Sequence, residues 1–334
     1  MKHDAVSMKQ MSRMWWVAVA VLLAAALCPL QALAQVPPRF YWKTLSGANA
    51  IPVIVNSMTG NTNPFDPSHQ VTPGASFDAT LAIAGYARTF TFQERSAMVA
   101  VLVPMGRLSG EVDLGPTSAK QSVTGFGDPM LEFDINIVGP KSQKTIPDVL
   151  RYEPGFSLDL LVDLALPLGE YDSSRALNLG QNRWYGRIGA PIVWQFGDWV
   201  PGRRTTLEFL PAVWLFGDND DYLGGQTLET DPMFQLDAHL TRDFTESMWG
   251  SLDAAWYTGG KATVDGVSGE ALNNLGLGFT LGYTITRNIN LTIGYKSTVN
   301  DNAPGDLQMD GFMISLVNGW HPIIEGMQRL KSEE

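Results

Sequence analysis

The sequence is poor in cysteine and in basic residues. It contains a single cysteine, Cys28, among 334 residues, so no disulfide can form within the chain. Lys and Arg together number 23 against 34 Asp and Glu, which gives a net charge of −11 at pH 7. Because nucleic acids bind to positively charged protein surfaces, this balance disfavours nucleic acid as a partner.

The sequence also has no long apolar run after its N-terminus. Lys2, Lys9 and Arg13 precede an uncharged stretch over residues 14–30, and Ala32-Leu33-Ala34 follows. This pattern predicts a secretory signal peptide over residues 1–34, cleaved before Gln35. An uncleaved membrane anchor is the alternative, although the run is short for a spanning helix. Cleavage removes Cys28, three basic residues and one acid, which leaves a cysteine-free chain of net charge −13.

What the mature chain does have is alternation of apolar and polar residues. In residues 151–167 the even positions are all apolar, whereas Asp159 and Asp163 occupy odd positions. A period of two indicates an extended strand whose two faces meet different surroundings. The same period occurs in residues 77–89, 131–137, 234–241, 275–285 and 289–296.

Segments of this kind predict twelve strands, most of them long enough to cross a bilayer at a tilt. The predicted strands cover residues 40–57, 76–90, 96–112, 124–138, 151–167, 182–197, 203–217, 229–243, 246–260, 272–286, 289–299 and 309–320. Long polar connections alternate with short ones, with residues 139–150 as the single exception. This pattern is typical of an all-β transmembrane antiparallel up-and-down β-barrel with long extracellular loops and short periplasmic turns.

The barrel interpretation assigns each residue range to a part of the predicted barrel. Residues 35–334 are predicted to form one outer-membrane β-barrel domain. Within it, residues 40–75 form the first strand and a long loop, a candidate plug, and residues 321–334 form a C-terminal tail. The apolar faces then contact lipid tails and the acids face a watery lumen. Tryptophan and tyrosine near strand ends fit the aromatic girdles of such barrels, although core or rim packing explains any one of them equally well.

Three segments resemble a known family: GFGDPMLEF (125–133), PLGEYD (167–172) and NLGQNRWYGR (178–187). The sequence is similar over residues 41–325 to the outer-membrane transporter-like proteins grouped as "putative MetA-pathway of phenol degradation". The resemblance implies a barrel in the outer membrane of a Gram-negative cell that transports hydrophobic or aromatic small molecules. It supplies no catalytic residues. Many outer-membrane barrels end on an aromatic residue, whereas this chain continues fourteen residues beyond Trp320.

The candidate functional residues are the charged side chains that alternation places on the lumen face. They are Asp78, Arg88, Glu132, Asp134, Glu153, Asp159, Asp163, Asp237, His239, Asp253 and Lys296. Acids dominate the set, which favours cations or neutral solutes in a conducting lumen. Alternatively, Arg–Asp pairs only fill the bore, since twelve strands lie between the barrels that are filled by side chains and those that hold a channel.

These observations predict a channel or transporter for small molecules and leave two alternatives. One is a non-conducting structural or adhesive barrel. The other, less favoured, is an outer-membrane hydrolase that uses His239, Asp237 and Ser251. We expect no enzyme activity, no cofactor and no metal, although the acidic loop at residues 218–221 could ligate Ca²⁺. The expected partners are outer-membrane lipid and lipopolysaccharide, the outer-membrane assembly machinery and a small-molecule solute.

Overall fold

The computed structural model describes residues 36–113, 118–300, 303 and 305–332. The predicted signal peptide, its cleavage site at Gln35 and the last two residues of the predicted tail lie outside the described residues. The strand segments are β1 (Asn49–Gly60), β2 (Ala75–Phe92), β3 (Arg95–Asp113), β4 (Ser118–Phe126), β5 (Met130–Val138), β6 (Phe156–Ala165), β7 (Tyr185–Gly189), β8 (Ile192–Phe196), β9 (Thr205–Phe216), β10 (Asn219–Tyr222), β11 (Gln226–Thr230), β12 (Met233–Asp243), β13 (Met248–Gly259), β14 (Ala262–Val264), β15 (Val267–Ser268), β16 (Leu272–Thr284), β17 (Ile289–Thr298) and β18 (Met309–Trp320).

Among the described residues, the long segments close into an antiparallel barrel of twelve strands. Each strand pairs with its neighbours in the sequence, and β18 pairs with β1 to complete the ring. The segments β4 and β5 count as one strand because both pair with β3, and β7 and β8 count as one strand because both lie between β6 and β9. Closure gives every strand two partners, which leaves no sheet edge exposed to lipid. The predicted fold is therefore confirmed.

The two interruptions occur at prolines. Gly127, Asp128 and Pro129 separate β4 from β5, and Ala190 and Pro191 separate β7 from β8. Proline has no N–H to donate to a neighbouring strand, so the ladder of hydrogen bonds breaks there. Since each interruption falls inside one predicted strand, the number of barrel strands is unchanged.

In most strands the apolar side chains lie on the outer surface of the wall and the polar ones on the inner surface, as the alternation predicts. In β6, Leu160, Val162 and Leu164 are exposed on the outer surface, whereas Asp159 and Asp163 are buried on the inner one. The predicted faces of residues 131–137, 234–241, 275–285 and 289–296 are confirmed in the same way. Apolar side chains around the whole outer surface form the lipid-facing band of an outer-membrane barrel.

The ends of the barrel differ in their connections. Long segments join the strands at one end, here the long-loop end, and mostly short turns join them at the other, the short-turn end. In outer-membrane barrels these ends are extracellular and periplasmic, respectively. The exception at the short-turn end is the connection of residues 139–155, which contains helix α1 (Ile146–Leu150). Its Thr145 and Asp148 form a capping box that fixes the helix start.

Two predicted loops contain more order than expected. Strands β10, β11, β14 and β15 form a separate four-stranded sheet at the long-loop end. The turn between β14 and β15 has Asp265 and Gly266 at positive φ of 45° and 80°. Asp-Gly with two positive φ angles is the preferred turn of a two-residue hairpin, which explains why this short sheet forms.

The two ends of the described chain also differ from expectation. Strand β1 begins at Asn49 and not at residue 40, and residues 36–48 form turns. After β18 the chain forms helix α2 (Pro322–Ser332). No helix of the described residues is long and apolar enough to cross a membrane.

Candidate functional site

Eight of the eleven candidate residues are buried on the inner surface of the barrel. They are Glu132, Asp134, Asp159, Asp163, Asp237, His239, Asp253 and Lys296. The strand register brings several of them side by side, for Glu132 lies opposite Asp163 and His239 lies opposite Asp253. The lumen therefore collects charges that are far apart in the sequence.

The other three candidates do not line the lumen. Asp78 and Arg88 are exposed on the outer surface of β2, because Phe77, Ala79 and Leu81 point inward instead. Alternation fixes the period of a strand but not which face is internal, and here the apolar face is the internal one. Glu153 is exposed in the connection before β6.

The N-terminal segment, defined as residues 36–48, supplies two cations to the inner acids. Lys43 forms salt bridges with Asp134, at 3.0 Å, and with Asp159. Asn136 donates a 2.8 Å hydrogen bond to the other oxygen of Asp159. The two acids thus share one cation from outside the strands, at the short-turn end of β5 and β6.

Arg39 is the second cation of the N-terminal segment. Its guanidinium lies 2.7 Å from Asp243, and its backbone N–H donates to Glu208 at 2.8 Å. Arg204 approaches the other oxygen of Asp243 at 2.8 Å. The Arg39 guanidinium also lies over the rings of Trp42 and Trp249, at 4.2 and 4.4 Å from their centroids. Cation–π contacts of this length add to the ion pairs that hold the segment in place.

Sequence reasoning missed the part played by Arg39 and Lys43. Both lie in PPRFYWK (37–43), which was assigned in part to the first strand. Two adjacent prolines and the lack of alternation were the available signals that this stretch does not belong to the wall.

A further ion pair joins neighbouring strands in the middle of the lumen. Arg187 of β7 donates to Asp163 of β6 at 2.6 Å, with both side chains buried. Glu132 lies next to Asp163 on the adjoining strand. Removing one partner of a buried pair leaves an unpaired charge, so this arrangement is sensitive to substitution.

The group proposed for a hydrolase has a different arrangement. His239 Nδ1 lies 2.7 Å from Asp253, and not from Asp237, and the Ser251 hydroxyl donates to the same carboxylate. Thr280 also donates to Asp253, at 2.5 Å. Because Asp253 binds both the serine and the histidine, the serine proton is directed to a carboxylate. A serine nucleophile requires a histidine base at that position.

Together these side chains define the charged half of the lumen, which extends from its middle to the short-turn end. Its carboxylates are Glu132, Asp134, Asp159, Asp163, Glu208, Asp237, Asp243 and Asp253. Its described cations are Arg39, Lys43, Arg187, Arg204 and Lys296. Carboxylates outnumber cations, and two of the cations belong to the N-terminal segment.

The long-loop end of the lumen has the opposite character, and we call it the apolar half. Inward residues of the wall pack there with Phe65, Leu177, Leu179 and Leu307 from the long connections. The wall residues of this cluster are Met58, Phe77, Ala79, Leu81, Leu108, Val123, Ala165, Tyr185, Trp214, Met233, Ala255, Tyr257, Leu272 and Met309. Tyr185 and Tyr257, two of the tyrosines near strand ends, are thus internal and do not belong to the lipid-facing girdle.

Three aromatic rings form a triangular cluster within the apolar half. The centroids of Tyr185, Trp214 and Phe216 are 6.4–6.5 Å apart. The guanidinium of Arg183 lies 5.0 Å from the Phe216 ring, and that of Arg187 lies 5.1 Å from Trp214. Arg187 therefore contacts both the aromatic cluster and Asp163, which places it at the boundary between the two halves.

The three segments that carried the family resemblance meet at one point of the wall. Asp128 accepts hydrogen bonds from the backbone N–H groups of Gly169 and Gln181, at 2.8 and 2.7 Å. Gly127, Gly169 and Gly180 pack backbone against backbone, since a Cβ on Gly169 would lie 2.6–2.8 Å from its neighbours. Only glycine fits this contact. The segments thus fasten the loop that carries Leu177 and Leu179 into the lumen.

The loop at residues 61–74, between β1 and β2, is held in the apolar half by a buried ion pair and by a histidine ring. Asp66 lies 3.5 Å from Arg183, and the ring of His69 packs edge-on against Tyr257 with centroids 5.0 Å apart. Burial lowers the pKa of His69 to about 4. His69 is therefore neutral at neutral pH, as its apolar surroundings require.

The acidic loop does not form a metal site in the structure. Asp220 and Asp221 are exposed in β10. Within the described part of the chain, no cluster of His, Cys, Asp and Glu could hold a metal ion.

Comparison with known proteins identifies a matching family and structures with a similar fold. Residues 60–316 match the protein family described as "Putative MetA-pathway of phenol degradation". An outer-membrane channel from Pseudomonas putida F1 has a similar structure, with a TM-score of 0.69 and 17% identity, covering 86% of this chain and 100% of that one. This likeness shows the fold.

Two further structures are less similar. The β domain of the Bordetella autotransporter BrkA has a TM-score of 0.47 and 9% identity, covering 82% of this chain and 100% of that one. The KdgM porin has a TM-score of 0.40 and 7% identity, covering 81% of this chain and 99% of that one. None of the curated proteins compared with the chain matches it.

Proposed function

Because the chain belongs to the family described as "Putative MetA-pathway of phenol degradation", we propose that it is an outer-membrane channel for small molecules, with hydrophobic or aromatic compounds as solutes. The observation that carries this proposal is the aromatic cluster of Tyr185, Trp214 and Phe216 inside the barrel, with Arg183 and Arg187 over its rings. Aromatic faces bind other rings and cations more tightly than aliphatic walls do. The similar structure from Pseudomonas putida F1 is itself an outer-membrane channel.

The material that fills the lumen supports passage rather than permanent closure. In the charged half it is the N-terminal segment, and in the apolar half it is loop side chains such as Phe65 and Leu179. Neither belongs to the twelve-stranded wall, so both can leave without breaking the barrel. The carboxylates that remain after the N-terminal segment leaves would concentrate cations in the path.

The alternative is a non-conducting structural or adhesive barrel. It is favoured by one observation, namely that Arg39, Lys43 and Arg187 are buried and paired with carboxylates of the charged half in the present structure. A hydrolase is not favoured, because Asp253 binds both Ser251 and His239.

Solute uptake into proteoliposomes separates these functions. The probe is benzyltrimethylammonium, which is permanently charged, and its matched control is (cyclohexylmethyl)trimethylammonium, which has the same charge and no aromatic ring. We expect both to enter faster than in protein-free liposomes, with the benzyl compound faster by roughly two- to tenfold, the worth of an aromatic contact. In Trp214→Leu, uptake should remain and this preference should shrink.

Two results would contradict the proposal in different ways. Equal uptake of the two probes by the intact chain would leave a channel but reject aromatic solutes. Uptake no faster than in protein-free liposomes, for the intact chain and for a variant that combines replacement of residues 36–46 by Gly and Ser with Leu179→Asp, would establish the non-conducting barrel.

A further inference from the structure

Helix α2 has a pronounced apolar side that the rest of the described chain leaves uncovered. Ile323, Ile324, Met327 and Leu330 are all exposed, Leu330 to 67%. At about 100° of rotation per residue, Ile323, Met327 and Leu330 lie within one narrow arc and Ile324 borders it. Glu325 and Arg329 lie on the opposite side of the helix. An exposed patch of this kind marks an interaction surface.

The position of the helix is fixed by the strand that precedes it. Trp320 ends β18, and its ring lies 6.4 Å from that of Tyr86 on the outer surface. Leu316 on the same strand is exposed in the lipid-facing band. Aromatic side chains that follow an apolar band mark the level of the lipid headgroups. Because α2 begins two residues after Trp320, it starts at that level, on the short-turn side.

His321 sets the turn between the strand and the helix. It is buried, its Nε2 donates to the carbonyl of Ser46 at 3.0 Å, and its Nδ1 accepts the N–H of Ile323 at 3.2 Å. The backbone of Glu325 then donates to the carbonyl of His321, which starts the helix. The first turn of α2 is therefore held against the base of the barrel, so the helix does not depend on lipid for its starting position.

We propose that α2 is an interfacial helix whose apolar side, formed by Ile323, Ile324, Met327 and Leu330, inserts into the phospholipid leaflet on the short-turn side of the barrel. Amphipathic helices bind membranes in this way, with the apolar side in the acyl boundary and the polar side in water. The lipid-facing strand β18 ends at Trp320, at the level of the lipid headgroups, and this surface begins three residues later, which makes phospholipid the occupant rather than a second copy of the chain. The tail beyond Trp320 thus acts as an in-plane anchor.

Site-specific fluorescence can test this anchor because the mature chain has no cysteine. Leu330→Cys places a label on the apolar side, and Glu325→Cys is the matched control on the polar side of the same helix. Each variant is labelled with an NBD maleimide and reconstituted in phosphatidylcholine vesicles with or without a doxyl spin label on the acyl chain. Heat-modifiable gel mobility checks that each barrel is folded.

We expect NBD at position 330 to be quenched several-fold more by the doxyl lipid than NBD at position 325, with emission shifted to the blue. Equal, weak quenching at both positions would overturn the proposal. A blue shift at position 330 that depends on the protein-to-lipid ratio, without doxyl quenching, would assign the surface to a second copy and would also overturn it.

Discussion

The charged half and the apolar half of the lumen are both closed, but by different parts of the chain and by different forces. The charged half is closed by the N-terminal segment, whose Arg39 and Lys43 neutralise carboxylates of the wall. The apolar half is closed by the long loops, whose Phe65, Leu177 and Leu179 bury apolar surface. Salts such as sulfate strengthen the burial of apolar surface, whereas salt weakens an ion pair only where water reaches it, so the two closures should respond differently to added salt.

The comparison also explains why the wall of one barrel can be acidic at one end and apolar at the other. An unpaired buried carboxylate is costly, so the acids of the wall require either water or a cation. The N-terminal segment supplies the cation in the closed state. A solute therefore meets two closures in series. The predictions below test the boundary between them, the closure of the apolar half, and finally both closures together.

The largest effect is expected in the charged half, at the boundary residue Arg187. Arg187→Ala should lower the free energy of unfolding by about 3–5 kcal/mol, because it leaves Asp163 buried without its partner at 2.6 Å. Urea unfolding of the barrel in phospholipid measures this change. Lys120→Ala, which removes the exposed partner of Glu111, is the control and should have no measurable effect. Similar stabilities of the two variants would show that the boundary pair is not a significant part of the closed structure.

A smaller effect is expected in the apolar half and depends on acid. The pKa of His69 is lowered by burial to about 4, against an ordinary value near 6.5. An opened loop takes up a proton that the closed loop excludes, so closure is fully stable above about pH 6.5 and weakens as the pH falls towards 4. The total loss should be about 2–4 kcal/mol.

Hydrogen exchange of the loop at residues 61–74 measures this opening as a function of pH. In His69→Phe, which keeps a ring against Tyr257 but cannot be protonated, protection should persist in acid. If both proteins lose protection over the same pH range, carboxylates and not His69 control the loop.

The strands were predictable from the sequence because the lipid side of the wall is apolar and most of the lumen side is polar. In β6, Leu160 and Asp159 alternate between the two surroundings, and the sequence alone assigns each to its face. The face of β2 was assigned wrongly, because Phe77 and Leu81 contact loop side chains that enter the lumen. Where a barrel contains an apolar core, the apolar residues of a strand face the lumen and the polar residues face outward. Alternation alone does not show on which side of the wall such a core lies.

The site was less predictable than the wall because its parts come from distant segments without periodicity. Lys43 lies 116 positions from Asp159, and nothing local links them. The segments around Gly127, Gly169 and Gly180 stood out by resemblance, but their mutual contact depends on backbone approach, which a sequence does not display.

Single-channel conductance in planar bilayers tests the two closures in series most directly. Four proteins are compared: the intact chain, a variant with residues 36–46 replaced by Gly and Ser of equal length, Leu179→Asp, and the two changes combined. Leu179 is fully buried in the apolar half, so a carboxylate there should expel its loop. We expect steady, cation-selective conductance only in the combined variant, whereas the intact chain and each single variant should show only the brief openings that admit solutes during uptake into proteoliposomes. Steady conductance in either single variant, equal to that of the combined one, would contradict the account.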